Sequence, residues 1–201
     1  MNFTYLQRAL EFYQQHNYVY MEDAPWVVSK EAALATKPQE ANEILLQNPL
    51  AGVQKDHRHL VASGEQSFLQ MMLDDRQIKR AVCLTPCYRD EATTNHWKHP
   101  YFMKVELIRA DDPSPGNLAH MISHAVAFFE QFVRVKVVQT GPDAFDILEQ
   151  SLPVELGSYG IREVTFPEKY VKDRKFKWIY GTGCAEPRLS SAVTRSRKSP
   201  A

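Results

Sequence analysis

The sequence has no excess of either charge, since 24 Lys and Arg residues stand against 24 Asp and Glu residues in a chain of 201. A neutral chain sets up no general positive field toward nucleic acid or an anionic membrane, so any RNA contact requires a local basic patch. Cysteine is scarce. Cys83, Cys87 and Cys184 are too few and too irregularly spaced for a disulfide framework. No apolar run approaches the roughly 20 residues of a membrane-spanning helix, and the first residues carry no basic segment followed by an apolar one. These absences predict a soluble chain in the reducing cytoplasm, without membrane contact. Three enzyme signatures are also missing: the Gly-x-x-x-x-Gly-Lys phosphate loop, the dinucleotide fingerprint and the Gly-x-Ser-x-Gly nucleophile elbow. Cys83 and Cys87 fall on one face of an expected strand, but no further ligands recur at metal-like spacing, so they read as buried structural thiols. His120 and His124 lie one helical turn apart with no third ligand nearby in sequence, and read as a helix flank.

What is present supports a core, because 44% of the residues are hydrophobic. Phe3, Leu6, Leu10 and Tyr13 recur at three- and four-residue steps and predict a helix over 3–16. Residues 18–21 and 23–28 read as extended chain, with Pro25 marking an edge or interface strand. From 29 to 58 the pattern is weak and predicts loop with a helical turn over 41–47. Ser63 has the chemistry of a helix start before Phe68, Leu69, Met72 and Leu73. Segments 81–90 and 101–110 predict an antiparallel hairpin with a long polar loop. Leu118, Met121, Ile122, Ala125, Phe128, Phe129 and Phe132 form the clearest helical stripe. Val133, Val135 and Val137 begin a strand, a short helix is expected over 142–148, and strands are expected over 154–164 and 176–180. Strands outnumber crossover helices, so the expected class is α+β, an antiparallel β-sheet flanked by helices. Residues 1–193 would form one domain, and 194–201 a basic, disordered tail.

The chemistry concentrates in two places. Pro86-Cys87-Tyr88-Arg89-Asp90-Glu91, a polar loop, and His99-Pro100-Tyr101-Phe102-Met103-Lys104-Val105-Glu106 join an arginine, many donors and an aromatic on paired strands. Such a surface suits a nucleoside triphosphate and its base. Gly181-Thr182-Gly183-Cys184-Ala185-Glu186-Pro187-Arg188-Leu189 runs from strand through glycines to a helix start, with Pro187 near the first turn.

These residues resemble the catalytic domain of class II aminoacyl-tRNA synthetases. Tyr88-Arg89-Asp90-Glu91 followed by Phe102 and Glu106 is similar to the second class motif. Gly181-x-Gly183-x-x-x-x-Arg188-Leu189 is similar to the third, and the first helix with Met21 to Val28 to the first, dimer-forming motif. Ser63-x-Glu65 and Phe102-x-Lys104-Val105-Glu106 have a seryl-type character. Glu155-x-x-Ser158 is similar to the pair that holds magnesium and ATP in seryl and pyrrolysyl enzymes. Glu155-Leu156-Gly157 with Arg162 is also similar to the aspartyl enzyme and to ammonia-dependent asparagine synthetase, so the subclass stays open.

The resemblance implies ATP-dependent activation of an amino acid, or a similar carboxylic acid, as its adenylate, with ATP and Mg²⁺ as cofactors. It implies that Arg89 and Arg188 are catalytic, and that Glu91, His96, Lys98, His99, Phe102, Glu155 and Ser158 complete the ATP site. Phe102 would sandwich adenine against Arg188, and Glu155 with Ser158 would ligate the metal. Glu65, Gln66, Lys104, Glu106 and Arg162 are the candidates for the amino-acid pocket, Glu65 for an ammonium group and Arg162 for an acidic side chain. The expected assembly is a stand-alone homodimer without an anticodon-binding module or N-terminal arm. The acceptor would be a tRNA, a carrier or modified protein, or a small molecule. The alternative is a catalytically silent paralogue acting as a nucleotide sensor or assembly subunit, suggested by an expected truncation of the helix after Arg188. A third reading is an unrelated α+β binding domain.

Overall fold

The computed structural model describes residues 1–37, 42–90, 99–166 and 174–196. Helix α1 (Phe3–Gln15) begins where the Asn2 side chain accepts from the Thr4 amide, and its spacing buries Leu6, Ala9 and Tyr13. Phe3, expected on the same face, is 64% exposed. Asn17, at φ 63°, turns the chain into β1 (Val19–Tyr20). Strand β1 lies at the margin of the main sheet.

The weak segment that follows departs from expectation. Ser29 Oγ accepts from the Ala32 amide and starts α2 (Lys30–Ala35), after the short β2 (Val27–Val28). The helical turn expected over 41–47 is absent from its described residues, where Asn42 instead bridges Asp90 and Leu45 bridges His59 of β3 (His59–Leu60). Three alanines and a leucine favour helix in α2 through propensity alone, which apolar spacing does not register in so short a segment.

Helix α3 (Gly64–Leu73) precedes the hairpin β4 (Arg80–Tyr88) and β5 (Tyr101–Arg109), and α4 (Pro115–Phe129) follows. Next come β6 (Val135–Gly141) and β7 (Ala144–Glu149). The helix expected over 142–148 is therefore a strand. Pro142 and Asp143 make a hairpin turn, and Ile147 and Phe145 alternate with Asp146 as a half-buried strand requires. The long strands β8 (Glu155–Phe166) and β9 (Arg174–Glu186) complete the sheet, and α5 (Arg188–Ser196) closes the described chain. Helix α5 buries Leu189, Ala192 and Val193 and runs through Ser196, three residues into the segment from Thr194 expected as tail.

Among the described residues seven strands form one sheet in the order β1-β4-β5-β9-β8-β7-β6, antiparallel except where β1 meets β4. On its back, α1 and α4 pack Leu6, Tyr13, Met121 and Phe128 onto Val82, Leu107 and Tyr159. Full burial of a side chain such as Phe128 contributes roughly 1.5–3 kcal/mol. The glycines of Gly181-Thr182-Gly183 permit this approach. A Cβ on Gly183 would stand 2.7 Å from the Tyr13 ring, and one on Gly181 would stand 2.6 Å from Met121 Sδ. On the front, α3 packs Phe68 and Leu69 over Cys83, Ile108 and Trp178.

Candidate active site

Period-two alternation sends Phe102, Lys104 and Glu106 to the front of β5, opposite Cys87, Thr85 and Cys83 of β4. Across β9 the register slips by one residue, pairing Val105 with Cys184 but Glu106 with Thr182. The skipped Gly183 turns its carbonyl back to accept from Tyr13 Oη at 3.1 Å. On β8, Ser158 and Arg162 share the front with Tyr180 and Trp178 of β9. A cavity of about 440 Å³ lies between these side chains and the start of α3.

Glu106 is 1% exposed, and its carboxylate accepts from Ser63 Oγ and, at 2.8 Å, from Lys104 Nζ. Ser63 also caps α3 by accepting from the Glu65 amide, which ties the helix start to the sheet. Glu65 is equally enclosed. One oxygen accepts from Arg162 Nη1 at 2.6 Å and the other from Trp178 Nε1 at 2.7 Å. Burial pushes its carboxyl up from the ordinary carboxylate value, and the Arg162 guanidinium opposes that rise only in part. Arg162 in turn stacks over Tyr180, with Cζ 4.4 Å from the ring centroid.

Arg89, at the end of β4, donates from Nε to the Ala62 carbonyl at 3.1 Å and holds its guanidinium 5.0 Å from the Phe102 ring. Arg188 opens α5 and donates to Glu155 Oε1 at 3.0 Å. Between that pair and the cavity lies Asp146 of β7, its carboxyl raised by burial and by Glu155, against a hydrogen bond from Ser158. Burial likewise pushes the Cys87 thiol up to about 11, which keeps it protonated at neutral pH.

Of the residues singled out from the sequence, Glu65, Arg89, Lys104, Glu106, Ser158 and Arg162 line one cavity. Glu155 and Arg188 are joined to each other beside it. Gln66 is a correction: it is 1% exposed and accepts from the Ala62 amide while donating to the Ala33 carbonyl, so it braces α2 against α3 and lines no part of the cavity. His99 is exposed just before β5. Glu91, His96 and Lys98 lie outside the described residues. Arg89 lies over Phe102, and Glu65 and Arg162, the candidates for two substrate groups, bind each other.

Sequence reasoning missed Tyr180, Lys37 and Asp146, and took Ser63 chiefly for a helix cap. Tyr180 stands immediately before Gly181, a position that strand alternation could have turned to the front. Asp146 was hidden by the helix expected over its strand.

No family model matches the chain, and no curated protein matches it by sequence. Solved structures do. Seryl-tRNA synthetase from Pyrococcus horikoshii, complexed with ATP, superposes with a TM-score of 0.71 at 18% identity, over 96% of this chain and 50% of that one. The cytoplasmic serine-tRNA ligase of Naegleria fowleri, in complex with AMP, gives a TM-score of 0.70 at 16% identity over 98% and 54%. A pyrrolysyl-tRNA synthetase of Desulfitobacterium hafniense gives 0.65 at 15% identity over 96% and 69%. The chain thus spans about half the length of the seryl enzymes it matches. Antiparallel sheet, flanking helices and superposition agree that this chain has the fold of a class II aminoacyl-tRNA synthetase catalytic domain.

Proposed function

We propose that the protein binds ATP and Mg²⁺ and activates an amino acid, or a similar carboxylic acid, as its acyl-adenylate. The observation that carries this reading is the gathering of Arg89, Lys104 and Arg162 around one cavity, on a sheet whose fold is shared with an ATP-complexed seryl enzyme. In the reaction a carboxylate oxygen of the substrate bonds to the α-phosphorus of ATP, the bond to the β-phosphate oxygen breaks, and pyrophosphate leaves. Two anions about 4 Å apart repel by roughly 1 kcal/mol in water and roughly 4 kcal/mol near a protein surface, so fixed cations must oppose that repulsion. Arg89, steadied by the Ala62 carbonyl and the Phe102 ring, presents its planar fork to the α-phosphate and the attacking carboxylate. Arg188 leaves Glu155 to hold the γ-phosphate, and adenine stacks beside Phe102. No general base is needed, because a carboxylate is ionised at neutral pH.

The donor set beside the cavity suits magnesium. Glu155, Ser158 and Asp146 bring hard oxygens, and two carboxylates with phosphate oxygens are usual for this ion. There the metal would neutralise phosphate charge. Dimerisation through α1 and residues 21–28 is supported by Phe3 and Trp26, which are 64% and 53% exposed on those segments. The acceptor of the acyl group is a tRNA, a carrier or protein, or a small molecule.

The test is exchange of labelled pyrophosphate into ATP, screened across amino acids and related carboxylic acids. Acid-dependent exchange that disappears in Arg89→Ala and Arg188→Ala is the expected result. ATP binding without exchange for any acid would overturn the proposed activity.

A further inference from the structure

We infer that Ser63 Oγ takes the acyl group from the adenylate, so that the chain carries its activated acid as an ester on its own serine. This deepens the adenylating reading above and rests on it. The inference starts from three side chains that line the cavity together. Ser63 Oγ donates to Glu106 Oε2 at 2.5 Å, and the same carboxylate oxygen accepts from Lys104 Nζ at 2.8 Å. A hydroxyl, a base that receives its proton and a third group that orients the base make the arrangement of an activated nucleophile.

The oxygen of Ser63 is left open to attack. It accepts at the limit of hydrogen-bond range, from the Glu65 amide at 3.4 Å and from Lys104 Nζ at 3.5 Å. The proton is held closely and the lone pairs loosely, as bonding to a carbonyl carbon requires. Gly64 makes the contact with the base possible. A Cβ there would stand 2.8 Å from Glu106 Cβ, so the bare backbone lets the start of α3 come down onto β5. Glu106, 1% exposed, faces the hydroxyl with almost no water to compete for it.

The reacting carbon is brought to the same place. Arg89, the guanidinium assigned above to the α-phosphate and the attacking carboxylate, donates from Nε to the carbonyl of Ala62, the residue joined to Ser63. Ser63 is also the N-cap of α3, so the positive end of that helix adjoins the carbonyl oxygen on which negative charge collects. In the step itself Ser63 Oγ bonds to the acyl carbon, its proton passes to Glu106, and the bond from that carbon to the phosphate oxygen breaks, releasing AMP. The final acceptor then takes the acyl carbon from Oγ, which regains its proton.

The test supplies acetyl adenylate to the full chain and follows the intact mass, with peptide mapping of the product. Transfer of one acetyl group per chain to Ser63 is expected. Glu106→Gln keeps the shape and removes the base, and is expected to slow the transfer by on the order of 10²-fold. Ser63→Ala is expected to abolish it. A serine that only caps α3 predicts no adduct at all. The inference is overturned if no acetyl group appears on Ser63, if it collects on another residue instead, or if Glu106→Gln is acylated at the natural rate. Acetyl adenylate bypasses the ATP step, so the two readings fail separately. Pyrophosphate exchange without a Ser63 adduct removes the ester and leaves the activation, whereas a Ser63 adduct in a chain that exchanges with no acid removes the activation and leaves the ester.

Discussion

Arg188 Nη1 donates to Glu155 Oε1 across 3.0 Å, joining the first residue of α5 to the first residue of β8. The two are 33 residues apart in the chain, and it is the antiparallel pairing of β8 with β9 that brings them together. Glu155 is 45% exposed at its side chain, so water competes for the pair and its worth to folding is small.

Arg188→Ala should therefore separate stability from function. The variant is expected to lose no more than about 1 kcal/mol in urea unfolding. Under the proposed reaction, acid-dependent pyrophosphate exchange is expected to fall by on the order of 10²-fold or more, the usual scale for a lost charge-stabilising donor. A variant that unfolds readily but exchanges normally would make Arg188 a structural residue.

The buried carboxyl of Glu65 gives a pH signature. Burial raises its pKa above the ordinary 4.5, outweighing Arg162, so the folded state holds the proton more tightly than the unfolded chain. Its contribution to stability is full below about 4.5 and is lost as pH rises through the elevated folded value. Glu65→Gln removes that dependence. The difference in Tm, natural chain minus variant, is expected to grow as pH is lowered from 7 to 4.5, and a flat difference would show that Arg162 cancels the burial.

Much of the fold was legible because its longest elements are marked by a simple period or by long apolar runs. The stripe from Leu118 to Phe129 buries one helical face over many residues, while β4 and β5, buried on both faces for most of their length, read as extended apolar segments. Elements α2 and β7 were not legible, being six residues each, too short for spacing to outweigh propensity and turn chemistry. The cavity was legible in composition and illegible in pairing. Arg89, Lys104, Glu106 and Arg162 stood out as charges on apolar strands. The bond between Glu65 and Arg162 spans 97 positions and depends on α3 docking over β9 and β8, which no local pattern encodes. Gln66 follows Glu65 in sequence, but one residue along a helix is a rotation of about 100°, enough to turn it from the cavity to the α2 backbone.

On the back of the sheet, His124 should show the opposite pH response. Burial lowers its pKa to about 4, helped by His16, Arg80 and His120, and its ring lies 4.6 Å from that of His16 with Arg80 Nη2 3.4 Å from Nδ1. Folding then excludes a proton that the unfolded chain takes up near 6.5, so the stability from a neutral His124 is complete above 6.5 and disappears as pH falls toward 4. His124→Gln is expected to flatten the loss of Tm across that interval. An unaltered acid limb in the variant would place the sensitivity elsewhere.

Arg89 is where planar geometry, rather than charge, is expected to decide activity. Its Nε is spent on the Ala62 carbonyl and its guanidinium lies over Phe102, so the orientation of the fork is set from two sides. Lysine keeps the positive charge but has neither a second donor plane to anchor nor a flat face to lay on the ring. Under the proposed reaction Arg89→Lys should therefore retain ATP binding within about tenfold, through the preserved charge, while kcat for exchange falls by on the order of 10²-fold because carboxylate and α-phosphate are no longer bridged in line. Stability should change by less than about 1 kcal/mol, since the side chain is only partly buried and lysine keeps its charge. Steady-state exchange at several ATP concentrations separates the two effects. A rise in KM with kcat intact would mean that Arg89 binds nucleotide without aligning the reacting atoms.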